Sequence, residues 1–300
     1  MKDGKSKLRL KKKIFGFDIV NFVILLILTL IALFPMYYVV LVSLADYASV
    51  HKQGLYILPT TILFDSYKTL LSTDLFTNAA MVSVFITITG TVLSMILSSA
   101  AAYVLSKKQI PGQKILFSII LIPMFFSGGL IPYYLTIKDI GLIDNIWVLV
   151  IPGAISSYYL ILLKNFFEGF PVSIEEAAKI DGANDIYILA KLVLPMSAPI
   201  IATISLFYAV DKWNDYYTAL MYLTNRKIFP LQLVLREAIL DFNQVIGSSV
   251  GAQLARENST VYSQGMQMAM IVISTVPIFC VYPFLQRYFT KGLMLGAVKE

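Results

Sequence analysis

Apolar residues in this chain come in long uncharged runs, not in the short periodic stripes of a water-soluble protein. Stretches free of Asp, Glu, Lys, Arg and His extend over 19–45, 75–106, 115–137, 145–163, 192–210 and 258–286. A helix of about 20 apolar residues crosses the hydrocarbon core of a bilayer. The pattern therefore predicts an all-α membrane protein with six transmembrane spans. The first run follows a lysine-rich segment, as a signal peptide would. It exceeds the usual apolar core of about 7–15 residues and is followed by no small-residue cleavage site, so an uncleaved span is expected.

These runs divide the chain into a basic segment 1–18, a six-span region 19–290 and a tail 291–300. Two connections are long and polar, 164–195 and 211–258. The lysines and arginines set the expected orientation. With the N-terminus inside, the inner segments carry sixteen basic residues and the outer segments eight. The excess predicts cytoplasmic termini and a cytoplasmic 164–195 segment.

Composition agrees. Hydrophobic residues make up 58% and charged residues only 14%, and the mean hydropathy is +0.75. Soluble domains carry about 25% charge. The net charge of +6 is spread as punctuation between apolar runs, which suits a membrane protein and not a nucleic-acid binder. One cysteine, Cys280, and one histidine, His51, exclude a disulfide framework or a Cys/His metal site within this chain. Cys280 is expected to be packed inside and His51 to be a solvated loop residue.

What the spans lack narrows the function. Ion-coupled carriers hold their proton or Na⁺ with ionisable groups or unwound helices inside the bilayer. The six runs are free of such groups. Asp211, Lys212 and Asp215 are expected at the outer end of the fifth span. No G-x-x-x-x-G-K-[ST] phosphate loop occurs, so the chain carries no nucleotide site of that kind. No paired acids or Ser/His/Asp group supports a membrane-embedded hydrolase. Prolines 35, 123, 132, 195, 199, 277 and 283 predict kinks, and Gly128-Gly129 with Pro132 a loosened outer half of span three. Gly90, Ser94, Ser98 and Ala102 fall four apart, a stripe for close helix packing. The segment 211–258 is long for a connection. Its "FPLQLVLREAILDF" has helical spacing that predicts a helix on the membrane surface.

The polar stretch "SIEEAAKIDGANDIYILAKLVLPMSAP" over 173–199 is the most patterned part of the chain. Ser173 with Glu176 matches a capping box, predicting a helix over 174–180. Gly182 suits the left-handed residue that ends it, and Asn184 the cap of a second helix. The result is a helix–turn–helix on the inner side, with small residues where a partner can dock.

The motif E-A-A-x3-G-x9-I-x-L-P of bacterial ABC importer permeases resembles this stretch. Here it reads Glu176-Ala177-Ala178, Gly182, then Leu192-Val193-Leu194-Pro195, with Leu192 where Ile is usual. Asp181-Gly182-Ala183 is similar to the form found in carbohydrate-uptake permeases. With the C-terminal "RYFTKGLMLGAVKE", nearly the whole chain resembles the maltose-type group on its MalG-like side, and within it the LplC-like oligosaccharide set.

The resemblance implies the type I ABC importer permease arrangement with a cytoplasmic EAA helix–turn–helix. It also implies a non-catalytic translocation subunit for carbohydrate, an oligosaccharide by preference, in the bacterial plasma membrane. Glu175, Glu176, Ala177, Ala178, Asp181, Gly182 and Ala183 would couple to the ATPase. The tail residues Gly292, Gly296 and Lys299 would reach toward it. Trp213, Asn214, Tyr216 and Tyr217 would line a solute path or meet an extracellular solute-binding protein. The implied partners are a second permease, two ATP-binding subunits holding the ATP and Mg, that binding protein, and lipid. No cofactor is implied for this chain and no nucleic acid. An ion-coupled secondary transporter is the alternative.

Overall fold

The computed structural model describes residues 16–45, 50, 57–59, 62–243 and 263–297. His51 and the basic segment 1–15 lie outside them. The described residues form helices and connections with no strand among them. In chain order these are α1 (Gly16–Ser43), α2 (Asp65–Ser72), α3 (Asp74–Ser106), α4 (Gln113–Phe125) and α5 (Leu130–Asp139). They continue as α6 (Ser157–Glu168), α7 (Val172–Ile180), α8 (Asp185–Met196), α9 (Ala198–Asn214), α10 (Tyr217–Tyr222), α11 (Leu231–Asn243) and α12 (Ser263–Ala297).

Three of these have the length and apolar composition to cross a bilayer: Phe17–Ser43 of α1, all of α3, and Gln264–Val281 of α12. Two further crossings are available as bent pairs. The α4–α5 pair turns by 118° and the α8–α9 pair by 90°. The first bend falls at Gly128-Gly129. Gly129 takes φ +86, a conformation that costs other residues steric strain. The second falls at Ser197, between Pro195 and Pro199. Just before it, Leu189–Val193 forms a π turn. Pro195 has no N–H for the carbonyl of Lys191, so the backbone rearranges there.

The crossing expected over 145–163 is not one helix. Ile146–Leu149 is a 3-10 turn, 150–156 is irregular, and α6 has 12 residues. That is about 18 Å at 1.5 Å per residue, short of a hydrocarbon core of about 30 Å. An uncharged run also arises where protein covers the backbone, and here it does: Val148, Leu149 and Val150 are buried.

Helix α3 is the axis around which the rest is arranged. It is 33 residues long, about 50 Å. Along its N-terminal half lies one apolar core, with Phe76, Ile86, Val148, Trp213, Leu231, Val234 and Met270 among its members. Along its C-terminal half lies a second, built from Ala102, Tyr103, Leu163, Phe167, Ile188, Val193, Ile204 and Tyr208. The stripe Gly90, Ser94, Ser98 and Ala102 is buried between and beside them. It admits α9 to close range, as small residues do in membranes.

The expected surface helix over 229–242 is instead part of the first core. Leu231, Leu233, Val234 and Ala238 of α11 are at most 1% exposed, and the Leu231 N–H donates to the Ser83 hydroxyl at 2.7 Å. Its apolar stripe faces α3 and α12 and not lipid. Cys280 departs from expectation in the opposite sense. It is exposed, beside exposed Phe279 and Val281 on α12. In a bilayer an apolar side chain gains nothing by leaving the surface. Helix α1 shows the same inversion: no residue of its most apolar stretch is buried.

Candidate functional site

Two polar regions stand out, one at the C-terminal end of α3 and one beside its middle. At the end lies the α7–α8 turn. Helix α7 begins at Val172 with Pro171 as its N-cap, and no side chain caps it. The expected Ser173 cap is therefore absent, because Pro171, with φ already near the helical value, starts the helix two residues earlier. The other end closes as a Schellman turn. The Gly182 N–H donates to the Lys179 carbonyl at 3.0 Å and the Ala183 N–H to the Ala178 carbonyl at 2.9 Å. Gly182 takes φ +82, which the motif requires. Asn184 then accepts the Tyr187 N–H at 2.8 Å to open α8. A 3.0 Å ion pair between Lys179 and Asp185 spans the turn.

The two faces of α7 differ in kind. Glu175 is buried and ion-paired with Lys107 at the end of α3. The Lys107 ammonium also sits 4.4 Å from the centre of the Tyr103 ring, a cation–π contact. Nearby, buried Lys164 pairs with Glu168 at 2.8 Å and lies over the Phe117 ring. Glu176, Ala177, Asp181 and Gly182 face outward, and Ala178 and Ala183 are half-buried. Apolar residues face outward too: Val172, Ile180, Ile186 and Tyr187 are exposed, Ile180 to 87%. Buried acid with exposed aliphatic side chains reverses the usual order for a water-facing turn. Of the residues expected to couple, Glu175 holds the turn to the bundle, Ala178 and Ala183 pack partly against the second core, and Glu176, Ala177, Asp181 and Gly182 form the outer face. Sequence spacing carried no sign of this division, since Lys107 and Glu175 are 68 positions apart.

The second region is centred on Lys212. Its aliphatic stem lies over Gly90, where a Cβ would meet three of its carbons at 3.2 Å. Its ammonium donates to the Leu149 carbonyl at 2.8 Å. Gly90 is the midpoint of α3, so Lys212 sits at mid-depth and not at the outer end of a span. The reason is the bend at Ser197. Residues 185–196 do not run along the crossing, and α9 alone, 17 residues, climbs only about 25 Å. Around Lys212 the Tyr159 hydroxyl donates to Asp211 at 2.8 Å, Tyr208 and Ser98 share a 2.7 Å hydrogen bond, and the Ser156 N–H donates to Tyr208 at 3.0 Å.

The residues expected on a solute path separate. Trp213 is buried, and its indole N–H donates to the Ser274 carbonyl of α12 at 2.9 Å, so it locks two helices together. Asn214 is exposed and lines an open cavity with Lys212 and Asp215. Tyr216 and Tyr217 are exposed, with the Arg236 guanidinium 5.3 Å from the Tyr216 ring. Gly292 and Gly296 fall in the last turns of α12, and Lys299 lies outside the described residues. At the N-terminal end of α3, the Asn78 amide donates to the Lys227 carbonyl. The 226–231 connection and the α7–α8 turn therefore sit at opposite ends of this helix.

Beyond α5, Asp144 accepts the Thr224 and Asn225 N–H groups at 2.9 and 2.8 Å, and its own N–H donates to the Tyr222 carbonyl at 2.8 Å. The two accepted hydrogen bonds hold its carboxyl below the ordinary carboxylate value.

Residues 112–295 match the family model described as the inner membrane component of binding-protein-dependent transport systems. The chain belongs to this family. A member is a permease, the translocating and non-catalytic subunit of an ABC transporter, and it resides in a membrane. The chain is 43% identical over 285 residues to the polygalacturonan/rhamnogalacturonan transport system permease protein YtcP of Bacillus subtilis, covering 94% of this chain and 98% of that one. It is 40% identical to the LplC protein of the same organism, covering 94% and 95%. It is 30% identical to the trehalose transport system permease SugB of Mycobacterium tuberculosis, covering 89% and 93%. Among solved structures, a chain of a bacterial ABC transporter involved in import of the acidic polysaccharide alginate superposes with a TM-score of 0.84. Identity there is 37%, over 91% of this permease and 96% of that chain. The permease thus has the type I importer fold.

Proposed function

We propose that this permease is one of two translocation subunits of an ATP-driven oligosaccharide importer in the bacterial plasma membrane, with both termini cytoplasmic. The α7–α8 turn receives the stroke of the partner ATPases, which hold the ATP and Mg. The observation that carries this reading is the outer face of that turn. Glu176, Ala177, Ile180, Asp181 and Gly182 stand exposed at the end of the bundle, on a helix anchored through Glu175. Small residues allow a partner to come close, exposed aliphatic side chains supply contact area, and the acids set polarity. Closure of two ATPases around the turn would drive the bundle between inward- and outward-facing states. The segment 226–231, at the other end of α3, is then extracellular and available to a solute-binding protein. The oligosaccharide assignment is supported by the substrates named for the relatives.

Lys212 and its carboxylates are the kind of group an ion-coupled carrier uses. Membership in a binding-protein-dependent family points to energy from ATP instead. The deciding experiment is co-expression with a cognate ATPase and second permease, followed by purification on a tag carried by this subunit. Two ATPase chains per copy, with nucleotide hydrolysis stimulated by the loaded binding protein, are expected. A chain that purifies alone and transports on an ion gradient would refute the proposal. Mass spectrometry of the ligand held by the cognate solute-binding protein would identify the sugar.

A further inference from the structure

The path from the exposed turn to α9 runs through α8, and α8 is not one regular helix. It is α-helical over Asp185–Ile188, π-helical over Leu189–Val193 and α-helical again over Leu194–Met196, before the bend at Ser197. Ile188 and Val193 are both fully buried in the second core. Positions five apart on an α-helix point about 140° away from one another. A π turn, closed by hydrogen bonds between positions five apart, holds an extra residue and brings both side chains to one face. The Leu194 N–H donates to the Leu189 carbonyl in this way. Both flanks are tied to α3, one through Glu175 and Lys107 and the other through Tyr208 and Ser98. With the flanks held, the extra residue cannot leave this segment. It can only change its place within it.

Two features ease such a change. Moving a π turn along a helix exchanges the acceptor of each N–H in turn, from the fifth residue back to the fourth. Pro195 has no N–H, so no hydrogen bond is exchanged at that position. The second feature is Ser197. Its side chain is fully buried and its hydroxyl has no partner among the described residues, a costly condition for a hydroxyl. A serine in a helix can donate to the carbonyl four residues earlier. Here that carbonyl belongs to Val193, which now accepts the Ser197 N–H at 2.9 Å.

We propose that Leu189–Val193 is a movable joint. As the α7–α8 turn is driven, the π turn passes from 189–193 toward Ser197. Residues between its two places swing by about 100°, Val193 leaves the core, and the Ser197 hydroxyl takes the Val193 carbonyl. The proposal rests on the reading of the α7–α8 turn as the receiver of the ATPase stroke. It adds that the stroke is taken up inside α8, in place of a rigid tilt of the turn together with α9.

The test uses the assembled transporter in proteoliposomes, with Cys280→Ser to remove the native thiol and Val193→Cys or, separately, Ile188→Cys as reporter. A water-soluble thiol reagent is applied in the nucleotide-free and vanadate-trapped states. Labelling at position 193 is expected to differ at least about tenfold between the states, while position 188 stays unreactive in both, since thiol reactivity follows exposure. Equal labelling of Val193→Cys in the two states overturns the joint. Parallel changes at 188 and 193 overturn it too, because they report a rigid movement. Should the cysteine variants fail to assemble, hydrogen exchange on the unsubstituted transporter decides. Amides 189–197 should change at least about tenfold between states while 185–188 and 200–204 do not, and unchanged exchange over 189–197 overturns the proposal. Loss of the ATPase subunits from the preparation would count against the importer reading itself, and is read separately on a gel.

Discussion

Lys107 at the end of α3 and Glu175 inside α7 form an ion pair that joins the 33-residue α3 to the exposed turn at its end. The pair is largely out of solvent, with side chains 26% and 10% exposed. Its loss leaves an uncompensated, mostly buried charge, which costs more than losing a surface pair. Lys107→Met or Glu175→Gln is expected to destabilise the protein by about 1–3 kcal/mol, the cost of stranding a partly buried hydrogen-bonding partner. Each should also reduce binding-protein-stimulated ATP hydrolysis more than basal hydrolysis, because the turn is no longer held at one angle to α3. The charge-swapped double variant Lys107→Glu/Glu175→Lys should recover part of both. Thermal unfolding and ATPase assays on the assembled transporter check this. Singles that leave stimulated hydrolysis untouched would show that the turn needs no such anchor.

Gly182 allows backbone strain to be separated from contact with a partner. At φ +82 a Cβ is strained whatever surrounds it, yet a Cβ placed there meets nothing of this chain within 4 Å. Gly182→Ala should cost about 1 kcal/mol of local stability through φ alone. Gly182→Asn tolerates the left-handed conformation better and should fold nearly as the native turn does. If an ATPase cleft closes on this turn, the asparagine variant will keep its membrane level but lose at least about tenfold in stimulated hydrolysis. Uptake at the native rate in Gly182→Asn would show that nothing packs on that position.

What sequence alone disclosed, and what it did not, divides along physical lines. The Gly182 turn and the Asn184 cap were readable because they depend on the residue itself and its immediate neighbours. Long apolar runs at α1, α3 and α12 were readable because length and hydropathy suffice. The depth of Lys212 was not, because it depends on a 90° bend at Ser197 that takes residues 185–196 out of the crossing. Pro195 and Pro199 around that serine were the only local sign. The burial of α11 was hidden for a related reason. Its Leu and Val stripe is the same whether it faces lipid or α3, and periodicity cannot tell the two apart. For Trp213 the resemblance implies a solute path or a binding-protein contact, while the structure gives its indole N–H a carbonyl on α12.

That tryptophan supplies a third prediction. Trp213→Phe keeps a ring in the first core and removes the hydrogen bond to Ser274. A lost hydrogen bond that strands a buried partner costs about 1–3 kcal/mol. Trp213→Ala adds a cavity and should cost about 3–5 kcal/mol. Both losses should appear in the unfolding of the isolated permease in detergent. The phenylalanine variant should retain the native half-saturating sugar concentration once assembled, because the side chain faces α12 and not the cavity. A shift in that concentration with unchanged stability would return Trp213 to the solute path.

Asp144 gives the connection after α5 a dependence on acidity whose sign is fixed by its contacts. It sits at φ 55, rare for a residue with a side chain, and its carboxyl accepts from both Thr224 and Asn225. These hydrogen bonds favour the charged form, so the folded pKa lies below the ordinary value of about 3.9. A group with a depressed folded pKa contributes stability above its unfolded pKa, and that contribution is lost as the pH falls through the folded one. The link between 144 and 224–225 should therefore hold at neutral pH and weaken only below about pH 4. Amide hydrogen exchange at Thr224 and Asn225 reads it directly. Asp144→Ala should raise exchange at both amides at every pH. Asp144→Asn, which keeps an acceptor oxygen and tolerates the backbone angle, should give intermediate protection with no titration in this range. Native-like protection of both amides in Asp144→Ala would mean that the backbone, and not this carboxylate, holds the two connections together.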